Sequence, residues 1–328
     1  MAKLVTIYGG SGFIGRYIAR RMAQQGWRVR VAVRRPNEAL FVRTFGVVGQ
    51  VEPVMCNLRD EASVRAAMDG AEAVINCVGI LTQSGQNRFD AVQSQGAGRV
   101  ARLAAELGVA HLVQLSAIGA DTQAKSVYSQ TKAAGEAAVL AHFPQAVILR
   151  PSVVFGAEDQ FFSRFAGMAR MSPVLPLVGA ETQFQPVFVD DVAQAAVMGA
   201  MGTAAPGIYE LGGPEIASFR ALMRQMLDVI GRRRLILGVP FFVARIMAGA
   251  LDLVQTLTLG LISNTVLTSD QLANLARDNV VGPTARTLAD LGIEPVPMAA
   301  VLPEYLWPYR PSGQYADIKQ SAKNLHKH

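Results

Sequence analysis

The chain has 328 residues, 51% of them hydrophobic and 17% charged, with a formal net charge of +6 and two cysteines. That composition excludes a disordered chain and supplies enough apolar surface for one large core with a smaller lobe beside it. Cys56 and Cys77 suggest neither a disulfide framework nor a metal cluster, so a reducing compartment and no metal site are expected.

An apolar run from Leu4 to Ile7 opens the chain and leaves no room ahead of it for a signal peptide or transit segment, so the expectation is a cytosolic origin, most simply bacterial, or a chain already processed. Glycines follow at positions 9, 12 and 15, and then Ile14, Ile18 and Met22 recur at helical spacing. A strand, a tight turn and a helix in that order form a phosphate cradle. Gly9 permits the turn, Gly12 lets backbone approach a pyrophosphate, and Gly15 lets the helix pack closely on the strand. The helix start at Phe13 and Ile14 adds unpaired N–H groups and the positive end of the helix dipole. Residues 1–37 hold Lys3 and seven arginines with no acid before Glu38, which implies an anionic partner. Few aromatics stand among these arginines and no nucleic-acid module is recognisable, so nucleic acid is set aside. A phosphorylated cofactor, an acidic protein surface and an anionic lipid surface remain.

Trp27, Val29, Val31 and Val33 alternate with polar or small residues, which predicts a second strand after a helix stop at Gly26. Further strands are expected over Val51–Cys56, Ala73–Val78, His111–Ser116 and Ala146–Leu149. Helices are expected between them near Glu61–Met68, Gly96–Leu107 and Tyr128–His142. Strands alternating with helices imply βαβ units, hence an α/β fold with a doubly wound parallel sheet and a second, smaller C-terminal lobe. The expected division is a dinucleotide-binding domain over 1–155, completed by about 185–208 through a helix near Asp190–Met201. The smaller lobe takes 156–184 and 209–328. Residues 235–262 are long enough to span a bilayer by count, but Arg245, Asp252, Pro240 and Gly249 interrupt them. A pair of amphipathic docking helices is expected there instead, resting on the lobe itself, a membrane or a hydrophobic partner. Beyond Trp307 the chain is polar and basic and reads as a tail that orders against a partner.

Two constellations carry chemistry. The second strand ends in Arg34 and Arg35, where an acid would bond the adenosine ribose of NAD, and Arg16 stands on the first turn of the first helix. A planar fork of donors suits a 2′-phosphate better than a ribose diol, so NADP or NADPH is the expected cofactor. Tyr128 and Lys132 share a helix face at i, i+4. In hydride chemistry the ammonium would lower the tyrosine's pKa, and it would also bond the nicotinamide ribose. Ser116, at the end of the fifth strand, would hold a substrate carbonyl or the tyrosine oxygen.

The stretches YGGSGFIG, CNLRD, NCVG, LSAIGA, YSQTK and LRPSVVFG resemble the short-chain dehydrogenase/reductase superfamily in its extended or atypical branch, over residues 1–210. The resemblance implies a Rossmann fold. It also implies that Asn57 and Leu58 contact adenine, that Val78 and Gly79 line the adenosine side, and that Pro151 to Val154, Val153 among them, face the nicotinamide. Two positions depart from the superfamily pattern. Asn57 replaces the usual aspartate, which leaves an amide able to bond the base edge. Gln93 stands where an active-site asparagine is common, so the proton relay differs.

The later segments FGAEDQFFSRFAGM, QPVFVDDVAQAAV, LTSDQLANLARDNVV and EYLWPYRPSGQY are similar to those of the 39-kilodalton accessory subunits of respiratory complex I, particularly bacterial ones. That likeness implies a tightly held NADPH with a structural or regulatory use. It also implies other complex I subunits as partners, near the junction of the peripheral and membrane arms. The setting would be the cytoplasmic face of the bacterial inner membrane, or the matrix side in a mitochondrion. The residues themselves leave two other readings open, a free-standing NADP-dependent carbonyl reductase or epimerase and an NADP-sensing regulator.

Overall fold

The computed structural model describes residues 2–83, 85, 87–246, 248–249, 268–311 and 313–315. Its centre is a seven-stranded sheet built from β1 (Leu4–Tyr8), β2 (Arg28–Val33), β3 (Val51–Met55), β4 (Ala73–Asn76), β5 (His111–Leu115), β6 (Val147–Pro151) and the strand Gly207–Leu211. The spatial order is Gly207–Leu211, β6, β5, β4, β1, β2, β3, with every pairing parallel. Parallel strands need covered faces, and the central strands are correspondingly apolar: Val5 and Ile7 of β1 and Ala73, Val74 and Ile75 of β4 are fully buried. The one polar residue inside β1, Thr6, is satisfied by donating to the Ala67 carbonyl at 2.8 Å.

The helices α1 (Phe13–Gln24), α2 (Glu61–Met68), α3 (Gln95–Glu106), α4 (Val127–His142), α5 (Phe162–Met171), α6 (Val189–Ala200) and α7 (Phe219–Val229) follow in order. On one face of the sheet α1 packs against α6, where Val192, Ala193, Ala196 and Ala200 let the helices approach closely over Ile18 and Met22. On the other, Val64 and Met68 of α2, Val100 and Leu103 of α3 and Val139 of α4 form a second core. The chain is therefore a doubly wound α/β fold with β1 and β4 as the strands where the order reverses. In such sheets the crevice outside the carboxyl ends of those strands is where a ligand lies.

The smaller lobe has its own aromatic core, with Phe161 stacked on Phe219 at 5.5 Å and Phe184 edge-on to Phe219 at 5.6 Å. The helix Met298–Leu306 closes it through Leu302 and Leu306. Three sequence expectations change. The division at about residue 208 cuts the strand Gly207–Leu211, whose hydrogen bonds to β6 place it in the main sheet. Leu288, Leu291 and Ile293 also return to the main core, so the later chain is not confined to the lobe. Leu235–Val239 is a strand parallel to Val174–Val178 and not part of an amphipathic helix; its backbone is satisfied by that distant partner, and Pro240 ends it. A helical turn over 241–246 follows it, the remaining docking-helix expectation over 251–262 lies outside the described residues, and so does the tail from 316 onward.

Candidate functional site

The cradle is built by backbone. Gly9 has φ +74°, a left-handed value that only glycine adopts without strain, and its N–H donates to the Ala32 carbonyl at 3.0 Å, tying the turn to β2. The Gly12 N–H closes the turn onto the Gly9 carbonyl at 3.0 Å, and Gly12 caps α1 with no side-chain bond. A β-carbon on Gly15 would overlap the Gly9 carbonyl and the Gly10 backbone, so the third glycine is required by helix-to-turn packing.

Above the cradle lies a cavity of about 760 Å³ whose walls include Gly9, Gly12, Arg16, Arg34, Arg35, Asn57, Leu58, Val78 and Gly79. Apart from Arg16 on α1, these residues come from the segments that leave β1 to β4, which is why separated motifs converge. The three guanidiniums have different partners. Arg16 pairs with Glu158 at 3.2 Å, donates to the Ser11 carbonyl at 3.2 Å and lies 4.9 Å from the Phe41 ring centre. Arg35 pairs with Glu38 at 3.0 Å, and Arg34 donates to Asn87 Oδ1 at 3.4 Å. Glu38 lines the same cavity, an acid whose place the linear sequence does not reveal. Asn57 turns its Oδ1 toward its own loop, accepting from the Arg59 N–H at 3.2 Å.

A second cavity, about 970 Å³, shares Gly79 with the first and continues the crevice toward the smaller lobe. Phe13, Ile14, Ser116, Tyr128, Pro151 and Val153 line one side of it. The opposite wall includes Phe161, Phe165, Asp270 and Asn279, supplied by the smaller lobe and the segment after it. The Ser116 hydroxyl is buried and has no hydrogen-bond partner among the described residues. An orphaned hydroxyl beside an open cavity marks where a polar ligand atom fits. With the glycine cradle at the other end, the crevice fits an extended dinucleotide whose nicotinamide end would reach Ser116.

Tyr128 and Lys132 lie on one face of α4 as the spacing predicts, with the Lys132 ammonium 5.9 Å from the Tyr128 ring centre. Phe89 packs edge-on to the same ring at 5.8 Å. Lys132 is buried behind the cavity and donates to the Leu115 carbonyl at 3.3 Å. A side chain on Gly79 would crowd its Nζ. Burial pushes Lys132 down to about 8, with Glu136 and Cys77 opposing the fall. The expectation that this ammonium lowers the tyrosine is overturned. Burial, followed by the Asp270 charge, pushes Tyr128 up to about 12. Burial makes the phenolate costly to form, and the Asp270 charge adds to that cost.

Gln93 lines neither cavity. It sits in a π-helical turn, Asp90–Ser94, where its Nε2 donates to the Ile80 carbonyl at 2.6 Å and its Oε1 accepts from Thr131 at 3.2 Å. The residue thus ties the loop after β4 to α4. The segment that sequence reasoning did not assign to the site is 269–282. Its helix Ser269–Leu275 begins with a capping box, Thr268 to Gln271, which is a legible start signal, but nothing local says which distant helix it docks on.

Comparison with known proteins gives four findings. The family described as NAD dependent epimerase/dehydratase matches residues 5–212. The mitochondrial NADH dehydrogenase [ubiquinone] 1 alpha subcomplex subunit 9 of Arabidopsis thaliana is 33% identical over 317 residues, covering 94% of this chain and 79% of that protein. A ceramide reductase of Caulobacter vibrioides is 31% identical over 239 residues, 72% of this chain and 74% of that protein. Among solved structures, the Bordetella bronchiseptica enzyme WbmH in complex with NAD+ aligns with TM-score 0.68 at 16% identity over 95% of this chain and 100% of that one, a likeness of fold.

Proposed function

Because the chain belongs to the NAD dependent epimerase/dehydratase family, we propose that it is an accessory subunit of a respiratory NADH:quinone oxidoreductase that retains NADPH in its crevice for a structural or regulatory purpose. The observation that carries this reading is the extent of the likeness to the Arabidopsis subunit. It runs over 94% of the chain, well beyond the matched dinucleotide-binding region and through the smaller lobe. Among the described residues no helix is long and apolar enough to cross a membrane; the attachment proposed is peripheral.

Gly9, Gly12 and the first turn of α1 at Phe13 and Ile14 would take the pyrophosphate, and Arg34, with Arg16 and Arg35 near it, the 2′-phosphate. Val78, Gly79, Asn57 and Leu58 would enclose the adenosine. Pro151, Val153, Ser116, Tyr128 and Lys132 would surround the nicotinamide. A bound NADPH supplies hydride. The chain's own part at that end is to exclude water with Phe13, Ile14 and Val153 and to present the Ser116 and Tyr128 hydroxyls. Tyr128 stays protonated near neutrality and so serves as a hydrogen-bond donor there.

Purification of the detergent-solubilised complex tests this. The chain should co-migrate with a large membrane assembly and release close to one NADP(H) per chain on denaturation. Recovery as a free soluble protein whose cofactor exchanges rapidly would overturn it. One observation favours a second reading, a free-standing NADP-dependent carbonyl reductase: the 970 Å³ cavity over Tyr128 leaves room beyond the nicotinamide end. Carbonyl-dependent oxidation of NADPH that is lost in Tyr128→Phe would establish that reading.

A further inference from the structure

The first turn of α4 carries Tyr128, and its start is already capped in the ordinary way: the Ser126 hydroxyl accepts from the Ser129 N–H at 3.3 Å. A second acceptor nevertheless arrives from a segment more than 140 residues later in the chain. The Asp270 carboxylate accepts from the Val127 N–H at 2.6 Å, from the Ser126 hydroxyl at 2.9 Å and from the Tyr128 N–H at 3.4 Å. Neighbouring bonds hold the same segment down. Ser129 donates to Asn274 at 3.0 Å, Ser152 donates to Asn279 Oδ1 at 2.6 Å, and Arg277 pairs with Asp121 at 3.2 Å. The helix does not require this carboxylate to begin. What Asp270 adds is a negative charge on the cavity wall beside Tyr128, where Lys132 offers the opposite charge from below.

We propose that Asp270 is a positioning residue for Tyr128, locking the first turn of α4 from the later segment and holding a negative charge beside the phenol. The inference goes beyond the proposed function and applies whether the crevice only retains a cofactor or turns over a substrate. Charged groups come to Tyr128 and to the cavity it lines from several elements. On its own helix there is Lys132, backed by Glu136 and by Cys77 at the end of β4. Asp270 faces it from the later segment, and the Asp121–Arg277 pair, Asp278, Arg150, Glu210 and Arg164 line the same cavity. Asp270 is the one of these whose charge raises the phenol, in addition to burial. A phenol held neutral donates a hydrogen bond to whatever atom lies against Ser116; a phenolate would repel an anionic or carbonyl oxygen there.

The test uses the full chain carrying 13Cζ-labelled tyrosine, with the Tyr128 resonance assigned by its disappearance in Tyr128→Phe. Asp270→Asn keeps one acceptor oxygen, enough for Val127 or for Ser126 but not both, and removes the charge, whereas Asp270→Glu keeps the charge. The Tyr128 ionisation constant is expected to rise about tenfold in Asp270→Asn. At pH 11 about half of the phenol would then be ionised, against about a tenth in the unaltered protein. Asp270→Glu should restore the original value. An unchanged Tyr128 titration in folded Asp270→Asn overturns the proposal. If that variant does not fold, Asp270→Ser is titrated in its place and judged by the same criterion.

Discussion

Arg150 of β6 meets Glu136 of α4 through two parallel bonds, Nε to Oε1 at 2.9 Å and Nη2 to Oε2 at 2.6 Å. Glu136 is buried, and Arg150 also reaches Glu210 on the edge strand Gly207–Leu211 at 3.4 Å. Glu210 in turn accepts from the Gly282 N–H at 2.8 Å. The bidentate pair therefore links the helix that carries Tyr128 and Lys132 to the sheet and to the segment that closes the cavity.

Removing one partner of this pair should cost far more than removing both. Arg150→Met leaves a buried carboxylate without its counter-charge and is expected to lose about 3–5 kcal/mol. The double change Arg150→Met with Glu136→Leu should recover most of that loss. Urea denaturation of the two variants measures the difference, and equal losses would show that the pair is not what Arg150 contributes.

Gly15→Ala places a β-carbon against the Gly9 carbonyl and the Gly10 Cα, both backbone atoms that cannot move aside without opening the turn. The expected cost is about 1–3 kcal/mol in stability, typical of overpacking. Dinucleotide affinity should fall with it because the same turn forms the cradle. Isothermal titration with NADPH alongside thermal melting tests both effects.

Arg34→Glu is expected to weaken NADPH binding about 10- to 100-fold, the size of a lost charge-assisted hydrogen bond. NADH affinity should change little, since it lacks the 2′-phosphate. Fluorescence titration with both cofactors separates the cases, and an equal loss of both would point to damage to the fold. Arg35, already paired with Glu38, should show a smaller effect in Arg35→Glu than Arg34 does.

Lys132 gives a pH dependence of unusual sign. Its folded value, about 8, lies below its ordinary 10.5, so between those values the unfolded chain binds the proton more strongly. Stability should therefore rise as pH increases from about 8 to 10.5, the opposite of a lysine that gains an ion pair on folding. Lys132→Met should stabilise the cofactor-free protein at pH 7 by up to about 3 kcal/mol and lose that advantage by pH 10.5. Denaturation curves at the two pH values check this, and an advantage independent of pH would mean that packing, not charge, is responsible.

How much of the site was legible depends on the range of the interaction. The glycine cradle, the Arg34–Arg35 strand end and the Tyr128–Lys132 spacing are local patterns, and the structure puts them along one crevice because strand ends converge at the switch between β1 and β4. The ionisation of Tyr128 was not legible, since it turns on burial and on Asp270, which lies 142 residues away. The strand Leu235–Val239 was missed for a similar reason. Its residues suit a helix as well as a strand, and its pairing with Val174–Val178 is what decides between them.

By itself the amino-acid sequence determined the alternation of strands and helices, the phosphate cradle and the face shared by Tyr128 and Lys132, because each is set by backbone stereochemistry or by periodicity over a few residues. Only the tertiary structure decided that Glu158 stands beside Arg16, that Gln93 ties loop to helix away from the cavity, and that Asp270 bonds the first turn of the helix carrying Tyr128. Those relations depend on burial and on charges brought together through space, and both come into being only when distant segments pack.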